Sequence, residues 1–308
     1  MKIRLMLSGL VAFAALCAMP RMAGAQIFVS FFGNGLEGTG AIGEYDATTG
    51  ATVNPALVSG LDFPLGIAVS DGNLFVVNSN TGTIGKYTTS GALVNPALIS
   101  GLGSPVAIAA SEGNLFVTQF GTIGKYATSG ATVNAALISG LSGADSIAVS
   151  GGDLFVSNEV TDTIGKYTTS GATVNPALIS RIAFGGTVAV SGDKLFVAQN
   201  DTIQEYTTSG ELVNPMLISG LTSVPLMAVS GGDLFVMHVS PTLESTMIGK
   251  YTLSGTPVNA SLVSGLVDQP SGFAVVSAPV PDRSSTWTLL VLGLTATFGL
   301  KPLLLRPA

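Results

Sequence analysis

The sequence predicts an all-β protein, a six-bladed β-propeller of four-stranded blades, and two observations carry that prediction. One is composition. The 308 residues include 39 Gly, and only 10% of residues are charged; many short strands joined by tight turns have this character. The other is an internal period near 40 residues. A phenylalanine within an apolar run recurs at Phe28, Phe75, Phe116, Phe155, Phe196 and Phe235. A tyrosine follows each one, at Tyr45, Tyr87, Tyr126, Tyr167, Tyr206 and Tyr251. Then comes an asparagine after a valine, at Asn54, Asn95, Asn134, Asn175, Asn214 and Asn259. A period of this length made of short β patterns marks propeller blades, not helical solenoids.

Residues 64–102 show one unit. Residues 66–70 form a first strand, and Asp71-Gly72 supplies the two-residue turn of a tight hairpin. Residues 73–77 form the second strand and 83–88 the third; Ser90-Gly91 turns the chain again. The fourth strand, 92–99, contains Asn95-Pro96. Proline cannot donate to a sheet ladder, so this strand belongs at the outer edge of the blade. The second strand, Leu74-Phe75-Val76-Val77, is apolar on both faces. A blade packed between two neighbours requires that, whereas a half-exposed sheet would alternate. Each such side chain contributes about 1.5–3 kcal/mol when buried.

The ring is expected to close through its ends. The first unit opens directly on a second strand at Ile27-Phe28-Val29, and the last leaves an orphan first strand at residues 272–276. Pairing the two completes a sixth blade and removes the open edges of the array. The opening Pro64-Leu65-Gly66-Ile67-Ala68-Val69, followed by Gly72-Asn73-Leu74-Phe75-Val76, resembles NHL-type propeller repeats, and the resemblance runs over residues 27–277. It implies the propeller fold. NHL-like propellers include scaffolds, ligand binders, hydrolases and lyases, so it leaves function open.

The two ends have a different design. Lys2 and Arg4 precede an apolar run over residues 5–18, and Ala23-Gly24-Ala25 follows. This is the pattern of a secretory leader, with residues 1–25 as signal peptide and cleavage before Gln26. Residues 26–279 form the propeller. The only cysteine, Cys17, lies in the leader, so the exported body carries no disulfide. At the other end Val280-Pro281-Asp282 leads into an apolar stretch over residues 287–300, with Lys301 and Arg306 beyond. Residues 280–308 resemble the PEP-CTERM class of bacterial sorting signals in a Val-Pro-Asp variant. That resemblance implies an exosortase-type membrane protease as processing partner, and a Gram-negative bacterium that displays the protein at its envelope, surface or matrix. The apolar stretch is shorter than the ~20 residues of a permanent span. The positive-inside rule keeps Lys301 and Arg306 on the cytoplasmic side. The membrane is expected to be met only through this tail.

Between Ile27 and Val280 lie six basic residues and 17 of the 18 acids, a net charge near −11. Such a body repels phosphate backbones, and nucleic acid is excluded as a partner. The loops between second and third strands vary most among the units. The longest, 30–40 and 237–246, fall in blades that become neighbours on closure. Loops on a rigid scaffold are the usual carriers of binding. Three places after each repeat phenylalanine stand Phe31, Asn78, Gln119, Asn158, Gln199 and His238. The four amides and the imidazole are expected to ring the channel mouth as a ligand-binding set, offering donors and acceptors without net charge.

Catalytic groups are few. His238 is the only histidine, and no His or Cys pair exists to hold zinc. The principal expectation is a non-catalytic binding or scaffold protein for an envelope polysaccharide or a surface protein, with no cofactor. The alternative is a metal-dependent propeller hydrolase or lyase. It would gather Asp145, Glu159 and Asp201 with Asn158 around calcium, a cation held by oxygen ligands. A passive spacer is the third reading.

Overall fold

The computed structural model describes residues 24–34, 36–182, 186–240, 245–267 and 269–277. Most of the leader and all of the tail, including Val280, Pro281 and Asp282, lie outside the described residues. The described residues form twenty-four strands, β1–β24 in chain order, and no helix.

One blade explains the others. β4 (Pro64–Ser70) runs inward from one face of the molecule, and the Asp71-Gly72 turn, both residues at positive φ, returns the chain as β5 (Asn73–Asn78). β6 (Thr83–Thr88) pairs with β5, and β7 (Leu93–Ile99) lies outermost. The third strand therefore falls on the expected residues, while the second runs one residue further. Between β6 and β7 the register shifts, from Ile84 opposite Ile99 to Lys86 opposite Asn95. Asn95 Oδ1 accepts the backbone N–H of Ala97 at 3.0 Å inside this bulge. All six units repeat that bond, from Asn54 to Ala56 through Asn259 to Ser261. The recurring asparagine is thus a bulge residue, and the bulge breaks the regularity of an exposed edge.

Six such sheets, each antiparallel and four-stranded, form the six-bladed β-propeller. The first blade has the order β24–β1–β2–β3, joining β24 (Pro270–Val276) to β1 (Gln26–Phe31), β2 (Gly40–Asp46) and β3 (Thr52–Leu61). Ile27 pairs with Val275 and Val29 with Phe273, so the orphan strand closes the ring as expected. The closing blade is also tied to the next one. Ser271 Oγ donates to Pro64 O at 2.6 Å, and Ser30 Oγ to Leu65 O at 2.7 Å. Gly272 stands at this join because a Cβ there would lie 2.2 Å from Leu65 O.

The core is six seams, not one centre. Phe75 and Val77 on one face of β5 pack with Leu115 and Val117 of the next blade; Leu74 and Val76 on the other face pack with Phe28 and Ile42 of the preceding one. Five of the repeat tyrosines lie against the glycine two places earlier on their strands. At Gly165 a Cβ would come within 2.7 Å of the Tyr167 ring, so any side chain there would have to displace the ring. The fifth blade carries Gln204 instead, and Tyr206 Oη donates to its Oε1 at 2.7 Å. Four lysines clamp the seams. Lys86, Lys125, Lys166 and Lys250 each sit 5.4 Å from the centroid of their own blade's phenylalanine. The first three then donate to a turn carbonyl of the following blade, at Thr128, Thr169 and Thr208.

Phe155→Ala should cost about 3–5 kcal/mol, because the fully buried ring leaves a cavity in a seam that cannot collapse. Lys166→Met, which removes the cation but keeps much of the stem, should cost only about 1 kcal/mol. Urea unfolding of the two variants measures the difference, and a smaller loss for Phe155→Ala than for Lys166→Met would contradict this account of the seams.

Candidate functional site: the mouth face

The inner strands β4, β8 (Ile108–Ser111), β12 (Ala144–Ser150), β16 (Val188–Ser191), β20 (Thr222–Ser230) and β24 all start at the same face. Around that start they enclose a channel of about 280 Å³. Its walls mix aliphatic side chains, including Leu65, Ile67, Val106, Ile147 and Leu226, with the polar Ser146, Thr187 and Ser271, and Asp145 is the one charged side chain among them. The loops entering the inner strands and the loops between second and third strands share this face. The latter span residues 32–39 in the first blade and 240–245 in the sixth, but only 120–121 and 200–201 in the third and fifth. The two longest do belong to adjacent blades, whose shared seam includes Phe31 and Met237.

The structure places the five side chains expected to ring the mouth at the mouth-face ends of the second strands. None lines the channel. Asn78, Gln119, Asn158, Gln199 and His238 end their second strands, one strand out from the channel. They lie an even number of residues from Leu74 and its equivalents, so strand alternation turns them into the seam with the preceding blade. Phe31, at the same position in the first blade, packs into its seam in the same way. The two glutamines pin loops. Gln119 Oε1 accepts the N–H of Gly103 at 2.9 Å, and Gln199 Nε2 donates to Arg181 O at 3.1 Å. Gln119 and Asn158 also hydrogen-bond with Tyr126 and Tyr167. Burial raises the pKa of both phenols, and these bonds draw it partly back. Asn78, Asn158 and His238 are buried; Asn78 Oδ1, Asn158 Oδ1 and His238 Nε2 have no hydrogen-bond partner, and His238 Nδ1 is 3.1 Å from Val239 O.

The carboxylates assigned to a calcium site also separate. Asp201 Oδ1 accepts the N–H of Ser223, at the start of β20 in the sixth blade. Asn158 is turned into its seam. Among the described residues no three His, Cys, Asp or Glu side chains come together as a group that could hold a metal ion. Asp145 and Glu159 remain neighbours. The desolvating channel wall, and secondly the Glu159 charge, raise the Asp145 carboxyl above its ordinary pKa.

What the mouth face does present is apolar surface. The four most exposed large hydrophobic residues among those described are Phe120 at 79%, Val160 at 74%, and Leu36 and Val267 at 67% each. All four lie in mouth-face loops. Phe32 and Phe63, partly exposed, stack there with ring centroids 4.3 Å apart. The Val160 loop is held rigidly, for Glu159 N donates to Gly143 O at 2.9 Å and Val160 N to Ser142 O at 3.3 Å. Sequence reasoning missed these residues. The available signal was the bulky apolar residue at a turn where other units place a polar one, as Val160 does against Asn80, Asp201 and Ser240.

No protein-family model matches the chain, and no curated protein matches it. Solved structures do. A chain from a nidogen/laminin complex aligns with TM-score 0.67 at 14% identity, over 83% of this chain and 100% of that one. A functionally unknown protein from Desulfotomaculum acetoxidans aligns with TM-score 0.55 at 15% identity, over 83% and 100%. Hydrazine synthase of Kuenenia stuttgartiensis aligns with TM-score 0.51 at 15% identity, over 63% and 64%. At these identities the likeness is one of fold.

The raised Asp145 carboxyl has a stability consequence. Its charged form is disfavoured in the folded state, so the fold is favoured below the ordinary carboxylate pKa and loses stability as pH rises through the raised one. Asp145→Asn should therefore raise the urea midpoint at pH 7 and leave it unchanged at pH 3. Equal midpoints at pH 7 would contradict the assignment.

Proposed function

We propose that this protein is an exported binding or scaffold propeller that holds a macromolecular ligand on its mouth face. The observation that carries the reading is the gathering of the four most exposed large hydrophobic side chains, Leu36, Phe120, Val160 and Val267, on that one face. The other nine exposed large hydrophobic residues among those described lie along the outer strands, so the mouth face is set apart by the degree of exposure, and strongly exposed apolar surface marks interaction sites. They favour a protein surface over a polysaccharide, because the amides that would have suited a sugar are turned into the seams. The nidogen/laminin structure is a complex of proteins by its name, which agrees with this reading without deciding it.

Export belongs to the same proposal. The leader delivers the body outside, and the Val280-Pro281-Asp282 tail holds it at the envelope until an exosortase-type protease processes it. The mature protein should then begin at Gln26, which intact mass or N-terminal sequencing reads directly; retention of residues 1–25 in the secreted form would contradict it.

The mouth-face reading is tested by site-specific photo-cross-linking in the cells that produce the protein. A cross-linking residue in place of Phe120 or Val160 should yield a discrete adduct. One in place of Val94, exposed on the outer strand β7, should not. Adducts at Val94 alone, or at no mouth-face position, would overturn the reading.

A further inference from the structure

Basic residues are segregated between the two faces of the propeller, whereas acidic residues lie on both, nine of the described ones in the half away from the mouth. Glu37, Asp62, Asp145, Glu159, Asp162 and Asp201 lie on the mouth face, with Arg181 as the one basic residue among the described residues there. The five lysines of the body belong to the other half. Lys86, Lys125 and Lys166 reach turn carbonyls at the opposite face, while Lys166 and Lys250 pair with Asp153 and Asp233 at 2.9 Å. Lys194 pairs with Glu205 at 2.6 Å. The lysines are thus engaged structurally, and the mouth-face carboxylates have almost no basic counterpart.

Charge and apolar exposure coincide most closely in the third and fourth blades. Phe120 projects from one, and Val160 is flanked by Glu159 and Asp162 on the other. The loop of Val160 is fixed by its two backbone bonds to residues 142 and 143, so the side chain is presented at little ordering cost. Beside it Asp145 stands in the wall of a channel that also presents the aliphatic side chains of Leu65, Ile67, Val106 and Ile147. A long cationic side chain suits that combination, since its methylene stem lies along apolar wall while its head meets the carboxylate. A partner lacking positive charge leaves Asp145 and Glu159 repelling each other. Anionic lipid and nucleic acid are repelled by the face as a whole.

We infer that the mouth face docks a cationic, amphipathic segment of another protein, with apolar side chains against Phe120 and Val160 and a lysine or arginine entering the channel toward Asp145 and Glu159. This rests on the mouth face being the binding surface and adds the chemistry of the partner.

The test uses the purified full chain and fluorescence anisotropy with three labelled peptides of equal length: alternating lysine and leucine, alternating glutamate and leucine, and alternating lysine and glycine. The lysine–leucine peptide should bind, more weakly as salt rises, and the other two at least tenfold more weakly, roughly the 1.4 kcal/mol that separates a factor of ten. Asp145→Asn with Glu159→Gln should weaken it about tenfold, and so should Phe120→Ser with Val160→Ser. Asp71→Asn with Glu112→Gln, on the opposite face, should leave it unchanged. Equal binding of the glutamate–leucine peptide, no loss in the Asp145/Glu159 variant, or no binding of the lysine–leucine peptide overturns the inference. If that happens while cross-linking through position 120 still captures a ligand, only the cationic chemistry is wrong. If cross-linking fails as well, the mouth-face reading falls with it.

Discussion

Everything in this molecule depends on blades packing face against face. A β-sheet buried on one side reads as an alternation, but here the second strand of every unit is apolar on both faces, and Phe28, Phe75, Phe116, Phe155, Phe196 and Phe235 are all at most 2% exposed. Each phenylalanine belongs to the seam with the following blade, and each leucine or isoleucine before it to the seam with the preceding one. No blade can satisfy both faces alone, so the array is stable only as a closed ring. The pairing of β24 with β1 is the step that makes it one.

This explains what was legible in the sequence and what was not. The blade count, the third strand over residues 83–88, the edge position of the Asn-Pro strand and the closing strand are all repeated features or consequences of repetition. Six copies of one pattern average out local ambiguity. The side-chain direction of Asn78 and its equivalents was also present in the sequence, in their even spacing from Leu74, Leu115, Leu154, Leu195 and Leu234. Their polarity suggested a ligand-facing position, but parity outweighs polarity, because a strand's alternation is set by its backbone. Gln119 and Gln199 serve there as loop pins, and Gln119 and Asn158 as tyrosine partners.

The mouth was harder to read because it is built from the parts that do not repeat. Val160 is exposed, and Asp145 lies near Glu159, through backbone bonds between two loops separated by a whole hairpin. Periodicity carries no information about such bonds. The expected grouping of Asp145, Glu159 and Asp201 failed for a related reason. Asp201 belongs to the next blade and is engaged with the start of β20 in the sixth. Only the Asp145–Glu159 pair lies within a single blade, where one loop folds over another.

A division of labour follows. The seams and their lysine clamps provide rigidity, and the mouth face, freed from structural duty, carries exposed apolar and acidic groups at fixed positions. The most direct test is native-state hydrogen exchange resolved by residue. If the ring is closed and the mouth preorganised, the amides of β24 exchange as slowly as those of β13 (Asp153–Asn158), and the Glu159 and Val160 amides are protected by their bonds to residues 142 and 143. Early exchange of β24 together with unprotected Glu159 and Val160 amides would show an open array with a mobile mouth, and would contradict the account.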